Sequence, residues 1–361
     1  MSHWRVLADD LTGALDTAAA FAGVQDVPVF LNAVVPESSA QAVQVVSTGT
    51  RDVTADHMAM ALQTCLPWFT DPGHFSFKKI DSLLRGNSFA EVAWLLRHGA
   101  FDGVVFAPAF PAQGRFTQAG QHWAGAANAS GAARETTDVL AAFAALDVPV
   151  SRGADMSQGG VLVPDVLCDA DLDLLAAASR SPTARRWLWC GSAGLAWALA
   201  RQWQLAPGSK PHADPTTASS GLTHLVTASR HPVLRAQLST LRFESGGLQF
   251  LDLSSEQPLA ADVAQAQLIQ RTQSFVQSNA RPDNLVVVGG DTLLALCRAA
   301  GAHSLQASAS PRLGWGRARL QGGRWDGVTC YARSGAFGAP DDLSELLATF
   351  TVKFTAKETT P

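Results

Sequence analysis

Short apolar runs alternate along this chain with alanine-rich stretches of helical period, and this alternation restricts the fold more than any other feature. Residues 4–8, apart from Arg5, and residues 103–107 are apolar runs, and residues 55–68 and 88–97 have the helical period. Runs that are apolar on both faces are typical of parallel strands covered by helices on both sides. The sequence therefore predicts an α/β fold.

The length of the chain and one proline-rich segment predict two domains. A domain averages roughly 150 residues, and this chain has 361. Residues 205–221 contain three prolines and few large apolar side chains, as a linker does. We expect an N-terminal domain over 1–204 and a C-terminal domain over 222–352, each with a mostly parallel sheet flanked by helices.

The composition excludes several classes of protein. Charged residues make up 16% of the chain and hydrophobic residues 47%, with a formal net charge of −4. This balance excludes wholesale disorder, argues against a nucleic-acid partner and is compatible with a homodimer. No apolar run reaches the roughly 18 residues of a membrane span, and no signal-peptide pattern is present. The five cysteines are widely spaced without a CxxC pair, which argues against disulfides and zinc and predicts a cytoplasmic protein.

Familiar enzyme signatures are absent from the sequence. No lysine follows a glycine, so a Walker A loop is excluded. The turn after the first predicted strand is not GxGxxG, which disfavours a nicotinamide-dependent dehydrogenase. HExxH and GxSxG motifs are also missing, so a rarer kind of site is indicated.

Polar residues follow two of the apolar runs in the first half. Asp9 and Asp10 end the first run, with Thr12 at the start of the next helical stretch. Carboxylates at the carboxyl end of a strand serve as general bases or metal ligands, although an ordinary helix N-cap is an equal alternative. Arg51 ends a hydroxyl-rich turn that suits a small polyhydroxy carboxylate, and a plain surface turn is the alternative there.

The most charge-dense motif runs from Lys78 to Asn87 and includes Lys79, Asp81 and Arg85. Because arginine and lysine clamp carboxylates and phosphates, we interpret this motif as a ligand site rather than a solvated loop.

Lysine is scarce in this chain, and its positions are informative. Only five of the 27 basic residues are lysine, and Lys78 and Lys79 are the pair that lies within a predicted domain core rather than the linker or the tail. We expect this pair to face the substrate acid or the transferred phosphate. A proline-bounded loop after residues 103–107 adds Arg115, which we expect to reach a ligand.

Small residues mark three strand ends in the second half. Glycines there permit close backbone approach, and a helix N-terminus favours an anion, so a nucleotide-phosphate site is indicated. The residues concerned are Ser229, Gly289, Gly290, Asp291, Thr292, Ser334 and Gly335.

Six ordered motifs resemble those of the four-carbon acid sugar kinase family, over nearly the whole chain to about residue 346. They lie at residues 9–14, 79–87, 107–115, 191–196, 289–292 and 334–338. The resemblance implies that the N-terminal domain binds the sugar acid and the C-terminal domain binds ATP, with Mg²⁺ and with an active site in the interdomain cleft. Members phosphorylate threonate, erythronate or 3-oxo-tetronate.

The resemblance also implies roles for individual residues. Asp9 or Asp10 would accept the proton of the attacked hydroxyl, and no metal ligand is assigned. The acid would bind Thr12, Arg51, Lys79, Asp81, Arg85, Asn87 and Arg115. ATP would bind Ser229, Gly289, Gly290, Asp291, Thr292, Ser334 and Gly335. Arg333 stands where the family usually has lysine.

Two other interpretations stay open. One is a kinase for another small hydroxy acid or sugar. The other is a ligand-binding or regulatory relative that kept the fold without transferring phosphate. Release of ADP with a panel of four-carbon sugar acids distinguishes them.

Overall fold

The computed structural model describes residues 3–23, 25–36, 41–124, 135–157, 159–206, 221–243, 247–255, 257–310, 314–350 and 354–356. Its internal contacts divide the chain into two compact units, Met1–Pro207 and Gly208–Pro361. Most of the predicted linker lies outside the described residues, and the predicted domain limits stay predictions.

The first unit contains a parallel sheet whose strands are almost entirely buried. The strands of the whole unit are β1 His3–Ala8, β2 Val27–Phe30, β3 Val43–Ser47, β4 His74–Lys79, β5 Gly103–Ala107, β6 Arg115–Gln118, β7 Gln121–Ala124, β8 Glu135–Asp138, β9 Val150–Arg152, β10 Gly160–Val163 and β11 Trp187–Gly191. The helices are α1 Leu11–Ala20, α2 Ala55–Phe69, α3 Ser88–His98, α4 Val139–Ala144, α5 Asp169–Ala178 and α6 Ala193–Gln202.

Eight of these strands lie side by side in the order β2, β3, β1, β4, β11, β5, β10, β9, and every described pairing among them is parallel. Helix α6 packs on α1 and α5, while α3 packs on α2 and α4. The core cluster on the α2–α3 side includes Leu7, Leu62, Val92 and Phe106. The predicted parallel sheet flanked by helices is therefore confirmed.

A small antiparallel sheet interrupts this pattern after β5. Strands β6, β7 and β8 pair with one another, and Thr117 also bridges Val166 on the main body. The prolines after residues 103–107 predict only a loop here. The residues of β6 and β7 alternate in burial, as expected for strands with one covered face, but the motif was too short to distinguish from a turn.

The second unit has four parallel strands in the order β14, β12, β15, β18, with β17 and β16 added in antiparallel pairing. Its strands are β12 Thr223–Thr227, β13 Leu241–Phe243, β14 Leu248–Asp252, β15 Asn284–Val288, β16 Ser304–Ser308, β17 Gly316–Gln321, β18 Thr329–Arg333 and β19 Phe354–Ala356. Its helices are α7 Pro232–Ser239, α8 Ala261–Ser278, α9 Gly290–Ala300 and α10 Asp342–Ala348.

Helices cover both faces of this second sheet. Helix α7 packs on α10, and their leucines share a core with Val286, Val288 and Trp315. Helix α8 packs on α9. The alternation of the sequence predicts a helix over 261–278 and a strand over 284–288, and α8 and β15 have these bounds. The Gly- and Trp-rich residues 313–338 predict short strands and turns, which agrees with β17 and β18.

No helix in the described part of the chain combines the length and the apolar character that a membrane crossing requires.

Candidate functional site

The carboxyl ends of five parallel strands in the first unit lie in one register row. Ala8 pairs with Ser47 on one side and with Lys79 on the other, and Gly191 continues the row to Ala107. Each of these residues begins or precedes a motif that the sequence analysis singled out. The sheet therefore places these motifs along one edge, where open α/β sheets bind ligands.

Asp9 and Arg51 form a bidentate ion pair at this edge. Arg51 Nε donates to Asp9 Oδ2 at 2.8 Å and Nη2 donates to Oδ1 at 3.0 Å. Asp9 is only 1% exposed. Burial by itself would raise the pKa of Asp9, but the charges of Arg51, Lys78 and Lys79 outweigh it and hold the pKa below its ordinary value. Asp9 is therefore a fixed anion with both oxygens occupied.

Asp10 is the N-cap of α1 and also contacts Arg51. Its Oδ1 accepts from the Gly13 amide at 3.0 Å and from Arg51 Nη2 at 2.6 Å. Its Oδ2 accepts from Thr12 Oγ1 at 2.5 Å. The side chain keeps 16% of its surface exposed, against 1% for Asp9. The N-cap alternative is thus correct as local structure, and it leaves the carboxylate at the open edge.

Lys79 reaches across the first turn of α1. A Cβ built on Gly13 would lie 2.7 Å from Lys79 Nζ and 2.5 Å from Asp10 Oδ1. Only glycine at position 13 leaves room for the ammonium between helix and sheet. Among the described residues, no hydrogen bond or ion pair of Lys79 Nζ is found, although its charge acts on Asp9, Asp16 and Asp81.

Asp81 and Arg85 form a second bidentate pair in the loop after β4. Arg85 Nε donates to Asp81 Oδ2 at 2.5 Å and Nη2 donates to Oδ1 at 3.1 Å. Burial opposes ionisation of Asp81, but the Arg85 hydrogen bond with the charges of Arg51 and Lys79 lowers its pKa far below the ordinary value. Because 41% of the Arg85 side chain is exposed, its guanidinium can meet a second anion.

Asn87 ties the two charged loops together. Its Nδ2 donates to the carbonyls of Thr50 at 2.8 Å and Val53 at 2.9 Å. Gly86, at φ +63°, lies so close that a Cβ would be 2.0 Å from the Arg51 carbonyl oxygen. The side-chain amide nitrogen of Asn87 thus holds the loop of residues 50–53 against the loop after β4.

Arg115 and His122 belong to the small antiparallel sheet. Burial lowers the pKa of Arg115 to about 10, with Asp81 opposing and Arg85 adding to that effect, which places Arg115 near the charged loop. His122 hydrogen-bonds through Nε2 to the Ser82 carbonyl at 2.8 Å and through Nδ1 to Thr117 Oγ1 at 3.0 Å. His122 therefore joins this sheet to the loop after β4.

Lys78 does not face the edge as the sequence analysis expected. Its side chain is fully buried, and Nζ lies 2.5 Å from Glu91 Oε2 of α3, which is also fully buried. Successive strand residues point to opposite faces, so Lys79 lies against α1 while Lys78 points toward α3. The expectation that both lysines meet a ligand is wrong for Lys78.

Three loops meet at the carboxyl ends of β12, β15 and β18 in the second unit. Thr227 and Val288 pair in register, and Val288 pairs with Arg333. A Cβ built on Gly335 would lie 2.3 Å from Ser229 Oγ, so these two loops touch. Gly289, at φ +120°, precedes α9 and provides no side-chain cap to its first-turn amides.

Thr292 supports this arrangement from behind. It is buried, and its Oγ1 accepts from the Ala228 amide at 3.1 Å. Ser334 Oγ accepts from the Ala336 amide at 3.4 Å within its own loop. The loops thus present backbone amides and small side chains, and the predicted residues Ser229, Gly289, Gly290 and Gly335 lie where they converge.

Arg333 is a buried anchor of the last loop. Its Nη1 donates to the Phe337 carbonyl at 2.7 Å and to Asp342 Oδ2 at 2.5 Å, while Nη2 donates to Gln237. The guanidinium carbon lies 4.7 Å from the centre of the Trp315 ring. Arg333 therefore holds the loop 334–338 in shape from inside the unit.

Comparisons with known proteins support the motif resemblance. Residues 4–139 match the family described as the sugar-binding N-terminal domain. A D-threonate kinase of Salmonella typhimurium is 40% identical over 120 residues, which are 32% of this chain and 28% of that protein. A D-threonate kinase of Cupriavidus necator is 33% identical over 231 residues, which are 55% of this chain and 54% of that protein. The chain is therefore similar to four-carbon acid sugar kinases over its N-terminal part. The matched regions span about half or less of the length of these two relatives.

Two solved structures share the fold of this chain. A Salmonella typhimurium protein described as a tRNA synthase has a TM-score of 0.72 at 17% identity and covers 98% of this chain and 100% of its own. A Haemophilus influenzae protein assigned to DUF1537 has a TM-score of 0.64 at 16% identity and covers 96% of this chain and 100% of its own. At these identities the likeness concerns the fold.

One further buried carboxylate, on α1, interacts electrostatically with Lys79 and Asp10, and the sequence motifs do not include it. Asp16 of α1 is 7% exposed, and burial raises its pKa to about 6, with Lys79 opposing and Asp10 adding to that rise. It follows Gly13 by three residues, so both lie on one face of the helix. That spacing from Gly13 was the only signal available in the sequence.

Proposed function

We propose that this protein transfers the γ-phosphate of ATP to a hydroxyl of a four-carbon sugar acid of the threonate, erythronate or 3-oxo-tetronate type. The observation that carries the proposal is the register row that collects Asp10, Arg51, Lys79 and the Asp81–Arg85 pair at one sheet edge. Two relatives named D-threonate kinase support the substrate class.

The acid would bind to the cations of the first unit that keep binding capacity. Arg51 is engaged by Asp9 and Asp10, so its part is to fix those carboxylates. Lys79 and the half-exposed Arg85 offer an ammonium and a guanidinium for the acid's carboxylate. Arg115 would add a third cation from the antiparallel sheet.

Asp10 is the better proton acceptor of the two aspartates. Asp9 has both oxygens held by Arg51 and is sealed from solvent, whereas Asp10 is partly exposed. A carboxylate within hydrogen-bond reach of the attacked hydroxyl accepts its proton as the phosphate transfers. The position of Asp10 as an N-cap fixes the direction of its carboxylate, since Gly13, Thr12 and Arg51 all donate to it.

The nucleotide phosphates would bind in the second unit, where the loops after β12, β15 and β18 converge. The residues fit this group, because any side chain at Gly335 would overlap Ser229 and the first-turn amides of α9 lack a side-chain cap. Mg²⁺ supplies charge neutralisation when bound. The described residues hold no cluster of three acidic, histidine or cysteine side chains for a metal, so the phosphates themselves would be its main ligands.

Release of ADP in the presence of ATP, Mg²⁺ and a panel of four-carbon sugar acids tests the proposal. We expect turnover with at least one acid, lost in Lys79→Met and kept in the matched variant Lys210→Met of the predicted linker. Gly290→Val should weaken ATP binding, measured by calorimetry, while acid binding is unchanged. If ADP is released only with other small hydroxy acids, the proposed acceptor is wrong. If the ligands bind without turnover, the proposed kinase activity is wrong. The homodimer and the cytoplasmic location stay predictions.

A further inference from the structure

Within the described part of the chain the Lys79 ammonium lies against α1 without a direct partner, and two carboxylates at that helix flank its position. Asp10 lies at the N-cap, Gly13 faces Nζ, and Asp16 follows one turn later on the same face. Among the residues that the structure describes, neither the Lys79 ammonium nor the Asp16 carboxylate takes part in a hydrogen bond or an ion pair within 4 Å. The ammonium is therefore attracted toward Asp10 on one side of Gly13 and toward Asp16 on the other.

The two carboxylates differ in how they are occupied. Asp10 accepts three hydrogen bonds, from Thr12, Gly13 and Arg51, which already balance its charge. Asp16 is buried, and the charged groups that act on it are Lys79 and Asp10. A buried carboxylate with one cation in range attracts that cation strongly, because few other charges or waters screen it.

We infer that Asp16 is a positioning residue that keeps the Lys79 ammonium over Gly13 and prevents its collapse onto Asp10. In this position Lys79 keeps donors for the anionic group of the acid, and Asp10 keeps its capacity to accept a proton. The inference deepens the proposed function and rests on it for the identity of the acid, but the electrostatic interaction between Asp16 and Lys79 is independent of any activity.

Burial adds a pH dependence to this arrangement. The raised pKa of Asp16, about 6, means that its carboxyl gains a proton as the pH falls through that value. The attraction on Lys79 then disappears, and the acid site loses its positioned ammonium. The Michaelis constant for the acid should therefore rise below pH 6, with the constant for ATP unaffected.

Lysine-selective NMR tests the electrostatic interaction directly, because the chain contains only five lysines. Protein labelled with [ε-¹³C]lysine should give a Lys79 signal, identified by its loss in Lys79→Arg, that shifts with a midpoint near pH 6. Asp16→Asn should abolish that shift. Thr17→Val, a matched change at the adjacent fully buried residue, should preserve it. A midpoint that persists in Asp16→Asn overturns the inference, whether or not the protein is a kinase.

Kinetics tests the consequence for the acid site. With an acid that is turned over, Asp16→Asn should raise the KM for the acid about five- to tenfold, with the KM for ATP unchanged and a flat pH profile between 5 and 8. Thr17→Val should retain the wild-type profile. An unchanged KM for the acid in Asp16→Asn overturns the inference. If no acid is turned over in any variant, the proposed function fails and the NMR titration alone decides the role of Asp16.

Discussion

The buried pair of Lys78 and Glu91 offers a sharp test of how charge is handled beneath the sheet edge. Both side chains are 0% exposed, and Nζ lies 2.5 Å from Oε2. Lys78 Nζ also donates to the Lys79 carbonyl at 3.1 Å. Burial raises the pKa of Glu91 despite the opposing charge of Lys78, and burial of Lys78 is more than offset by Glu91 and Asp9, which raise its pKa.

Removal of one partner leaves the other charge buried without compensation. We expect Lys78→Met to lower the free energy of unfolding by about 3–5 kcal/mol at pH 7, the usual cost of breaking a buried pair. The double variant Lys78→Met/Glu91→Leu should recover most of that loss, because two apolar side chains of similar volume replace both charges. Urea denaturation followed by tryptophan fluorescence gives each value, with the slope showing whether unfolding stays two-state.

The pH dependence separates an electrostatic loss from a loss of shape. In Lys78→Met the Glu91 carboxyl can take up a proton, so its destabilisation should shrink at pH 5 relative to pH 7. The double variant should show no such change. A single variant that costs less than about 1 kcal/mol, or a double variant that costs as much as both singles added, would refute the reasoning.

Three further predictions concern the edge of each sheet. Because the pKa of Asp16 rises from 3.8 to about 6 in the fold, its ionisation should cost about 3 kcal/mol of stability above pH 6 and nothing below pH 4. Asp16→Asn should remove that dependence in urea unfolding at pH 4 and pH 7.5, and equal pH slopes would contradict it. Gly13→Ala should place a methyl group 2.7 Å from Lys79 Nζ and weaken binding of the acid in calorimetry, with the affinity for ATP unchanged. An unchanged affinity for the acid would argue against binding of the acid by Lys79. Arg333→Lys should lower stability by about 2 kcal/mol in thermal unfolding, since lysine cannot serve Asp342 and the other acceptors together; a neutral result would show that the guanidinium fork is dispensable.

The sequence predicts the sheet and most strand ends because parallel strands buried on both faces have a strong apolar signal. Helix α8 and strands β5 and β15 have the predicted bounds. The loops at the strand ends also stand out, because polar residues concentrate there in a chain with little charge. Features that depend on local pattern and composition can therefore be predicted from the sequence.

The missed features depend on contacts between distant segments or on the direction of single side chains. Adjacent strand residues point to opposite faces of a sheet, so Lys78 and Lys79 cannot both face one ligand. This rule alone contradicts the expectation that the two lysines act together. The contact between His122 and Ser82 joins segments 40 residues apart and leaves no local pattern. Asp16 resembles an ordinary helix-surface acid, and only tertiary burial next to Lys79 distinguishes it.

The spacing of the strand ends at the edge of the first sheet bears on the size of the proposed acceptor. Neighbouring strands lie about 4.8 Å apart, so the loops after β3, β1 and β4 begin within about 10 Å of one another. The proposed four-carbon acid would be short enough to lie across these three loops. The loop after β5 begins two strands beyond β4, and Arg115 comes near Asp81 because the small antiparallel sheet folds back over that distance. Under the proposed function that sheet would limit the length of the acid, which makes β6 and β7 the segment to redesign for longer acceptors.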